Sequence, residues 1–481
     1  MKFFYIFLIV IFFNVIFTNN IINSAESGSV IFINKKMNSV LKRFSDSLKF
    51  RTVSIKDESK GDFSEFYKFH RYLEKSFPNI HKTMRKELIG KASLLYKWEG
   101  SNRKLKPVIF AAHMDVVPAE NEADWKHPPF GGIIAEGYFW GRGARDYKSG
   151  LMSLMEAAEY LISKGCQPKR SVYFAFGHDE EIQGFNGAAK IADILKKRGV
   201  DAEFVLDEGG GITKGIIDGT EPDKLIAMVS TAEKGYLTLK LQAKSGGGHS
   251  ASSSEKNPIV VLSEAIVKLN KLKFDAVFDK PVTEMFEALG PELNFQKEFL
   301  FSNLWLTKGI VKKIMLSGHD SASMISTTLA FTMMHAGTVE NAIPDNAEVL
   351  INIRMLPGDS AQKIIDLVTK QINDKDVLIS IQGRISEAPP ISDKDTEAFK
   401  TISDCIKKTF KAAIVVPSIT TGTTDIRHYS AVSKNLYRFA PSISTKTYSG
   451  NGHKNDERLP VENYKQYCEF YYNILAEVTS R

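Results

Sequence analysis

The sequence predicts an α/β protein with a mostly parallel sheet, into which a second, ferredoxin-like α+β domain is inserted. Short apolar runs alternate with helical spacing in the first half of the chain, and the same alternation returns near the C-terminus. A different order of strands and helices lies between them. A chain of 481 residues with 43% hydrophobic and 25% charged residues is globular in composition and too long for one ordinary core, so we expect two domains.

The first domain is predicted from apolar runs that are typical of buried strands and from the helical patterns between them. The predicted elements are strands at 108–112, 172–176 and 204–206, a helix at 150–161 and, near the C-terminus, strands at 414–416 and 436–439 and a helix at 461–478. Strands that alternate with helices indicate a parallel sheet with helices on both faces.

The inserted domain is predicted from residues that alternate between apolar and polar, as in half-exposed strands. Its predicted elements are a strand at 237–243, a helix at 258–272, strands at 327–334 and 349–353, a helix at 360–372 and a strand at 377–381. This β-α-β-β-α-β order matches a ferredoxin-like unit. The connector 273–326 is too long for a plain loop, and we expect it to contribute to a lid or substrate wall.

The N-terminus has the layout of a secretory signal. Lys2 precedes an apolar run from Phe3 to Phe17 that only Asn14 interrupts, and polar residues follow. The run is shorter than the ~20 apolar residues of a stable membrane span, so a cleaved signal and a retained membrane anchor both stay open. We expect a protein of the secretory pathway, secreted or, if anchored, lumenal or vacuolar. The predicted boundaries are a signal peptide or anchor at 1–25, a catalytic domain at 26–232 and 388–481, and the inserted domain at 233–387.

Charge and cysteine content exclude two other classes of protein. The net charge of +7 is spread among acidic residues without a basic tract, which argues against nucleic-acid binding. Three cysteines, Cys166, Cys405 and Cys468, are too few for a disulfide framework, and we interpret them as apolar buried thiols.

Acidic and histidine residues follow the apolar strands of the first domain or begin the next helix. They are His113 with Asp115, Asp146, the segment 179–181 and the pair 207–208. One acid after a strand is usually a turn residue or a helix cap, but four such clusters in one topology are harder to explain in that way. Ligands of open α/β sheets bind at the carboxyl ends of the strands, so we expect these side chains to meet in one cleft.

Converging carboxylates need a cation. Two ionised carboxylates about 4 Å apart repel each other by roughly 4 kcal/mol at an effective dielectric constant near 20, and several such pairs would exceed the stability of a typical domain. One histidine with several carboxylates and no cysteine favours zinc, with manganese or cobalt as substitutes. On extended backbone Glu180 and Glu181 point to opposite sides, so one can bind metal while the other acts as a general base.

The chain resembles the metallopeptidase family that includes aminoacylase, carboxypeptidase S and N-fatty-acyl-amino-acid synthase/hydrolase, and it is most similar to the last two. The resemblance covers nearly all of the chain after the signal. The segments that carry it are His113–Pro118, Gly141–Lys148, Gly177–Glu181, Leu206–Gly209, Gly247–Ser250, Asn341–Pro344 with Arg354, Gly422–Asp425 and Gly452–His453. The resemblance implies a zinc-exopeptidase-like catalytic domain, with the inserted domain acting as a lid or dimerisation domain.

The resemblance also implies two zinc ions per subunit and a role for each matched acid. One zinc would be held by His113, Asp146 and Asp207, and the other by Asp146, Glu181 and His453. Glu180 would be the base that activates a metal-bridging water, and Asp115 would orient His113. The third ligand of the first zinc is either Asp207 or Glu208, and we favour Asp207.

Residues of the inserted domain and of the last part of the chain are expected to bind substrate. In the resemblance His249 stabilises the oxyanion, often across a dimer interface, so a homodimer is expected. Arg354, helped by Asn341, would bind the substrate carboxylate, a task that suits a guanidinium group. The segment containing Gly422 and Asp425 completes the expected substrate site.

We therefore expect a di-zinc hydrolase that cleaves an amide or peptide bond next to a free carboxylate in a small molecule or short peptide. A carboxypeptidase and an N-acyl-amino-acid hydrolase, which could also run the synthesis, stay open. The apolar residues of the connector could line a pocket for a lipid tail or belong to a core; they are Phe286, Leu289, Phe299, Leu300, Phe301, Leu304 and Trp305. An inert scaffold that binds amino-acid-like ligands is the alternative from another class.

Overall fold

The apolar runs that the sequence marks as buried strands are strands in the computed structural model, which describes residues 37–251 and 256–481. The described chain forms two units. The first unit contains the chain up to Glu208 together with Glu397–Ala413 and Ala440–Arg481, and the second contains Gly209–Thr396 and Ile414–Phe439. The predicted signal at 1–25 lies outside the described residues, and the domain boundaries expected from the sequence remain a prediction.

The described residues contain these strands: β1 Arg85–Ile89, β2 Ser93–Trp98, β3 Val108–His113, β4 Ile133–Ala135, β5 Tyr138–Trp140, β6 Val172–Gly177, β7 Phe204–Asp207, β8 Gly211–Lys214, β9 Leu225–Glu233, β10 Gly235–Lys244, β11 Gly248–His249, β12 Thr328–Ala336, β13 Ala342–Ile343, β14 Asn346–Met355, β15 Val377–Ile381, β16 Ile414–Thr420, β17 Leu436–Arg438, β18 Ile443–Thr445 and β19 Arg458–Pro460.

The described helices are α1 37–47, α2 Ser64–Ser76, α3 Pro78–Thr83, α4 Lys148–Ser163, α5 Ala188–Lys197, α6 Pro258–Asn270, α7 Lys280–Leu289, α8 Phe295–Ser302, α9 Leu304–Ser317, α10 His319–Ile325, α11 Ala361–Ile372, α12 Glu397–Thr409 and α13 Val461–Ser480. Short 3-10 turns occur at Glu122–Asp124, Glu180–Ile182, Gly290–Glu292 and Asp425–Ala431.

The sheet of the first unit has the order β1-β2-β6-β3-β7. Strands β6, β3 and β7 are parallel neighbours, whereas β1 and β2 are antiparallel additions at the edge. Every residue of β3 and β6 is buried, which explains why both strands are continuous apolar runs rather than alternating ones. The predicted α/β class is confirmed, and the parallel strands bring their carboxyl ends to one edge.

Two long helices, α4 and α13, belong to the first unit. Helix α13 packs against α4 and α12. The hydroxyl oxygens of Tyr147 and of Tyr471 on α13 lie 2.7 Å apart. The predicted helix at 150–161 is confirmed as α4, which begins directly after Tyr147. Tyr147, which follows the expected bridging acid, is therefore buried as a part of the core.

The second unit contains an antiparallel sheet of order β12-β14-β10-β15. Burial alternates along β10 and β14, and the buried side of the sheet shares a core with α6 and α11. Along the chain the elements run β10-α6-β12-β14-α11-β15, the ferredoxin-like order that the alternating pattern predicts.

The connector 273–326 contains four helices, α7 to α10, so the prediction that it is not a plain loop is confirmed. Its inner residues form a core with the parallel strands β9 and β16: Phe286 and Leu289 are buried, and Leu300, Phe301 and Leu304 pack against them. Five of the seven apolar connector residues are thus core residues, whereas Phe299 and Trp305 point outward and are 50% and 83% exposed.

Candidate active site

The parallel strands of the first unit bring together side chains that lie far apart in the sequence. Strand β3 ends at His113, β6 is followed by the turn that contains Glu180 and Glu181, and β7 is followed by Glu208. One possible ligand atom each from His113, Glu180 and Glu208 lies within 4.8 Å of the others, and the same holds for His113, Asp146 and Glu181. The expected cleft at the carboxyl ends of the strands is therefore lined by acids and imidazole.

Asp146 lies at the centre of this site. Its Oδ1 is 3.1 Å from Nε2 of His113, and its Oδ2 is 3.0 Å from Nε2 of His453. Nε2 of His453 is also 3.1 Å from Oε2 of Glu181. The peptide bond between Asp146 and Tyr147 is cis. One carboxylate thus has an imidazole near each of its oxygens, and its expected role as a bridge between two cations stays a prediction.

The carboxylate that reaches His113 after β7 belongs to Glu208 and not to Asp207. Oε1 of Glu208 is 3.3 Å from Nε2 of His113, whereas Oδ1 of Asp207 accepts the backbone N–H of Glu208 at 2.8 Å. Neighbouring residues of a strand point to opposite sides, so only one acid of the pair can face the cleft. The structure thus favours the alternative ligand that the sequence left open, and the expected position of Asp207 is corrected.

Asp115 positions both sides of the site. Nδ1 of His113 lies 2.9 Å from the backbone oxygen of Asp115 and 3.4 Å from its Oδ1, so the backbone carbonyl is the nearer partner of the ring. The carboxylate of Asp115 accepts the backbone N–H groups of Glu180 at 3.2 Å and Glu181 at 3.1 Å, and Ser54 Oγ donates to it at 2.7 Å. Asp115 therefore orients the histidine and also holds the turn that carries both glutamates.

The electrostatics of the site favour bound cations. Burial raises the pKa of Glu208 to about 8 and also raises the pKa of Glu181. Hydrogen bonds to Asp146 and Glu181 raise the pKa of His453 to about 10. Burial opposes ionisation of Asp146, yet hydrogen bonds from His113 and His453 lower the pKa of that carboxyl. The acids and imidazoles of the site therefore interact strongly with one another, and a divalent cation among them would offset the repulsion between the carboxylates.

The residues present fit a zinc centre. Oε1 of Glu181 is buried and has no hydrogen-bond partner among the described residues, so a buried acceptor atom is left for a ligand. The donors are imidazole nitrogens and carboxylate oxygens without cysteine, a set that zinc accepts in catalytic sites. Nδ1 of His113 is bonded within the protein, which leaves its Nε2 to face the acids.

The expected substrate-binding residues lie in the second unit and form two groups. His249, which is exposed, pairs with Ala342 across β11 and β13, and Ser250 N–H donates to the backbone oxygen of Asn341 at 3.1 Å. Arg354 donates from Nη1 to Oγ1 of Thr423 at 3.2 Å. The structure therefore brings His249 close to Asn341.

The second group lies around the loop that follows β16. Thr423, the partner of Arg354, belongs to the segment that contains Gly422 and Asp425. The guanidinium carbon of Arg354 also lies 4.5 Å from the centre of the Tyr236 ring. Gly422 is exposed, whereas Asp425 is buried. This segment therefore holds the guanidinium group of Arg354 through Thr423 and exposes its own backbone at Gly422.

Sequence reasoning missed the role of Glu457. This residue is fully buried; its Oε1 accepts the backbone N–H groups of Arg145 at 2.8 Å and Asp146 at 3.1 Å, and its Oε2 accepts Nη1 of Arg142 at 2.7 Å. Glu457 therefore holds the backbone of Asp146. An acid four residues after His453 is the available sequence signal, but spacing alone does not show that it turns back to Asp146.

Comparison with known proteins identifies the family to which the chain belongs. Residues 109–477 match the peptidase family M20/M25/M40. The chain is 37% identical to the probable carboxypeptidase S-like 2 of Dictyostelium discoideum, over 90% of this chain and 84% of the relative. It is 35% identical to the N-fatty-acyl-amino acid synthase/hydrolase PM20D1 of Mus musculus, over 89% of this chain and 86% of the relative.

Solved structures share the fold at low sequence identity. An M20 family metallo-carboxypeptidase, Sso-CP2 from Sulfolobus solfataricus, has a TM-score of 0.67 and 17% identity, with 93% of this chain and all of that chain covered. Human carnosine dipeptidase 1 has a TM-score of 0.68 and 13% identity, with 95% and 99% covered. These likenesses support the α/β fold.

Proposed function

The chain belongs to the peptidase family M20/M25/M40 and is a metal-dependent hydrolase, and from this premise we propose that it uses two zinc ions to cleave an amide bond next to a free carboxylate. The observation that carries the proposal is Asp146, whose two oxygens face His113 and His453 at 3.1 and 3.0 Å. Such a carboxylate can serve two cations at once.

The proposed ligands divide between two ions that share Asp146. His113, Asp146 and Glu208 would hold one ion, and Asp146, Glu181 and His453 the other, with manganese or cobalt as substitutes for zinc. When bound, the two ions would polarise the scissile carbonyl and lower the pKa of a water molecule. The buried Oε1 of Glu181 supports this division because it lacks a protein partner among the described residues.

Glu180 is the proposed general base. Its carboxylate would take a proton from the attacking water and later deliver it to the nitrogen of the leaving amine. The backbone N–H of Glu180 donates to Asp115, and this hydrogen bond fixes the backbone position from which the side chain of Glu180 extends. The sequence places Glu180 beside the ligand Glu181, so the base adjoins the metal centre without using the acid that faces His453.

We propose roles in substrate binding for residues that the sequence marks as candidates. By the family resemblance, Arg354 and Asn341 would bind the free carboxylate of the substrate, and His249 would stabilise the oxyanion. The segment containing Gly422 and Asp425 would complete this site. The hydrogen bond from Arg354 to Thr423 supports the proposal because it fixes the guanidinium group, which lowers the entropy lost on binding a carboxylate.

The base is tested with Glu180→Gln. We expect turnover to fall by roughly 10²–10⁴-fold while the protein retains its zinc, because the amide cannot accept the proton. Glu462→Gln, which alters an exposed carboxylate, is the matched control and should keep full activity. Unchanged turnover in Glu180→Gln with zinc still bound would refute the assignment. Chelation should abolish activity and added zinc should restore it.

The substrate class is tested by comparing an N-acyl amino acid with an N-blocked dipeptide. Relatives of both kinds, a probable carboxypeptidase S-like protein and an N-fatty-acyl-amino acid synthase/hydrolase, are similar to this chain. Faster turnover of the dipeptide would identify a carboxypeptidase, and faster turnover of the acyl substrate an acyl-amino-acid hydrolase. Incubation of a free fatty acid with an amino acid measures synthesis directly. An inert scaffold would turn over none of these substrates.

We further propose that the protein enters the secretory pathway and forms a homodimer. The N-terminal sequence, in which Lys2 precedes an apolar run, supports the secretory pathway, and the family resemblance around His249 supports the homodimer. Within the described residues no helix is both long and apolar enough to cross a membrane. N-terminal sequencing of the protein purified from cells distinguishes a cleaved signal from a retained anchor, and sedimentation equilibrium gives the subunit number.

A further inference from the structure

Helices α8 and α9 of the connector present an apolar face to solvent. The exposed fractions are 82% for Phe295, 83% for Trp305, 62% for Leu306 and 55% for Ile310. The two helices contact each other, so these side chains belong to one region of the second unit. Single exposed apolar residues are normal on a protein surface, whereas a group of large ones indicates a binding surface. We call these four residues the apolar face.

The inner side of α9 fixes the direction of this face. Val311 and Met315 are buried in the core of the second unit, and Thr307 is buried beside them. Leu306 and Ile310 are four residues apart and therefore lie on one side of the helix, away from these anchors. Because the inner side of α9 already packs into the core, the apolar residues on its outer side form a separate surface that does not belong to that core.

The charges on α9 have one sign, whereas α8 carries one lysine and one acid, Lys297 and Glu298. Helix α9 carries Lys308, Lys312 and Lys313 and contains no acidic residue. Lysine side chains can extend their ammonium groups past an apolar surface toward a polar boundary. A helical surface with tryptophan, large apolar residues and lysines is typical of helices that lie in the interface of a membrane with anionic lipids.

From these observations we propose that the apolar face binds the surface of a lipid bilayer that contains anionic headgroups. A second copy of this chain would bring two lysine-rich helices together, which is electrostatically unfavourable. The wall of a pocket for an acyl chain would be enclosed, whereas Trp305 is 83% exposed. A bilayer accounts for both the lysines of α9 and the exposure of Trp305, because its anionic headgroups pair with lysine and its interface accepts tryptophan.

Trp305 provides a local reporter for the test. The other three tryptophans, Trp98, Trp125 and Trp140, are at most 7% exposed, so the solvent-sensitive part of the emission comes from Trp305. Vesicles of phosphatidylcholine with phosphatidylserine should shift this emission to shorter wavelength and protect it from acrylamide. Vesicles of phosphatidylcholine alone should bind more weakly, and added salt should reduce binding. Emission is more specific than sedimentation because the N-terminal apolar run could itself bind lipid.

Variants distinguish the apolar face from other surfaces. Leu306→Ser with Ile310→Ser keeps the reporter and should weaken vesicle binding by roughly tenfold or more, because two large side chains no longer enter the interface. The matched control is Val260→Ser with Val267→Ser on α6, which are 53% and 56% exposed and should leave binding unchanged.

A second set of variants tests the charges. Replacement of Lys308, Lys312 and Lys313 by Gln should remove the preference for phosphatidylserine. The proposal is overturned if Trp305 emission does not respond to anionic vesicles. It is also overturned if the double Ser variant binds them as well as the parent protein does, or if light scattering shows that the same variant abolishes a dimer while vesicle binding is absent.

Discussion

Glu457→Gln is the substitution that most directly tests how the protein holds its central carboxylate. Glu457 is fully buried and accepts three hydrogen bonds, two from the backbone N–H groups of Arg145 and Asp146 and one from Arg142. Glutamine has the same size but only one acceptor oxygen. Its NH2 group must face either the two backbone donors or the guanidinium group, so one side loses its partners.

The magnitude follows from this geometry. Breaking a buried ion pair by removing one partner costs about 3–5 kcal/mol, because the remaining charge, here that of Arg142, is left uncompensated. The amide retains one acceptor, so we expect a loss near the lower end, about 3 kcal/mol. Partners that orient metal ligands contribute roughly 10–100-fold to metal affinity. Glu457 acts on the backbone of Asp146 and not on its carboxylate, so we expect zinc affinity to fall by about tenfold.

The assay separates stability from metal binding. In a Trp305→Phe background the remaining tryptophans all lie in the first unit, and Trp140 pairs with Arg458, the neighbour of Glu457. Urea unfolding followed by their fluorescence measures the stability of that unit without metal, and competition with a chelator measures zinc affinity. Glu462→Gln serves as the exposed control. Stability within about 0.5 kcal/mol of the parent and unchanged zinc affinity would refute this role of Glu457, since surface substitutions have effects of that size.

Three other substitutions test parts of the fold. Glu233→Gln should lower stability by about 3–5 kcal/mol in urea unfolding, because Glu233 and Arg438 form a fully buried ion pair at 2.8 Å; equal stability would contradict it. Leu239→Ala should cost about 2–5 kcal/mol by leaving a cavity in the inserted sheet, and amide exchange in β10 should rise accordingly. Burial lowers the pKa of His70 to about 4, so the folded state favours its neutral form. The resulting stability is present above pH ~6.5 and is lost, by roughly 2–3 kcal/mol, as pH falls toward 4; His70→Phe should remove that loss in urea midpoints measured across this range.

The amino-acid sequence by itself predicted the main strands and helices of both domains and the residue types that meet at the site. Continuous apolar runs predicted the buried strands β3 and β6, and strict alternation predicted β10, because burial on two faces or one face is encoded in neighbouring residues. Acids placed after those strands predicted the edge at which a metal would bind. The family resemblance, carried by short motifs, predicted that His453 belongs to the same site.

Only the tertiary structure decided which side chains face one another. Asp207 and Glu208 are equivalent in local pattern, and the orientation of the chain after β7 selects Glu208. Glu457 reaches the backbone of Asp146 across 311 positions, a contact that spacing cannot encode. The sequence of the connector indicates only that many of its residues are apolar. The packing of its helices decides that Phe286 is buried and Trp305 is exposed. Periodicity records whether a residue is buried, whereas the identity of its neighbours depends on how distant elements pack.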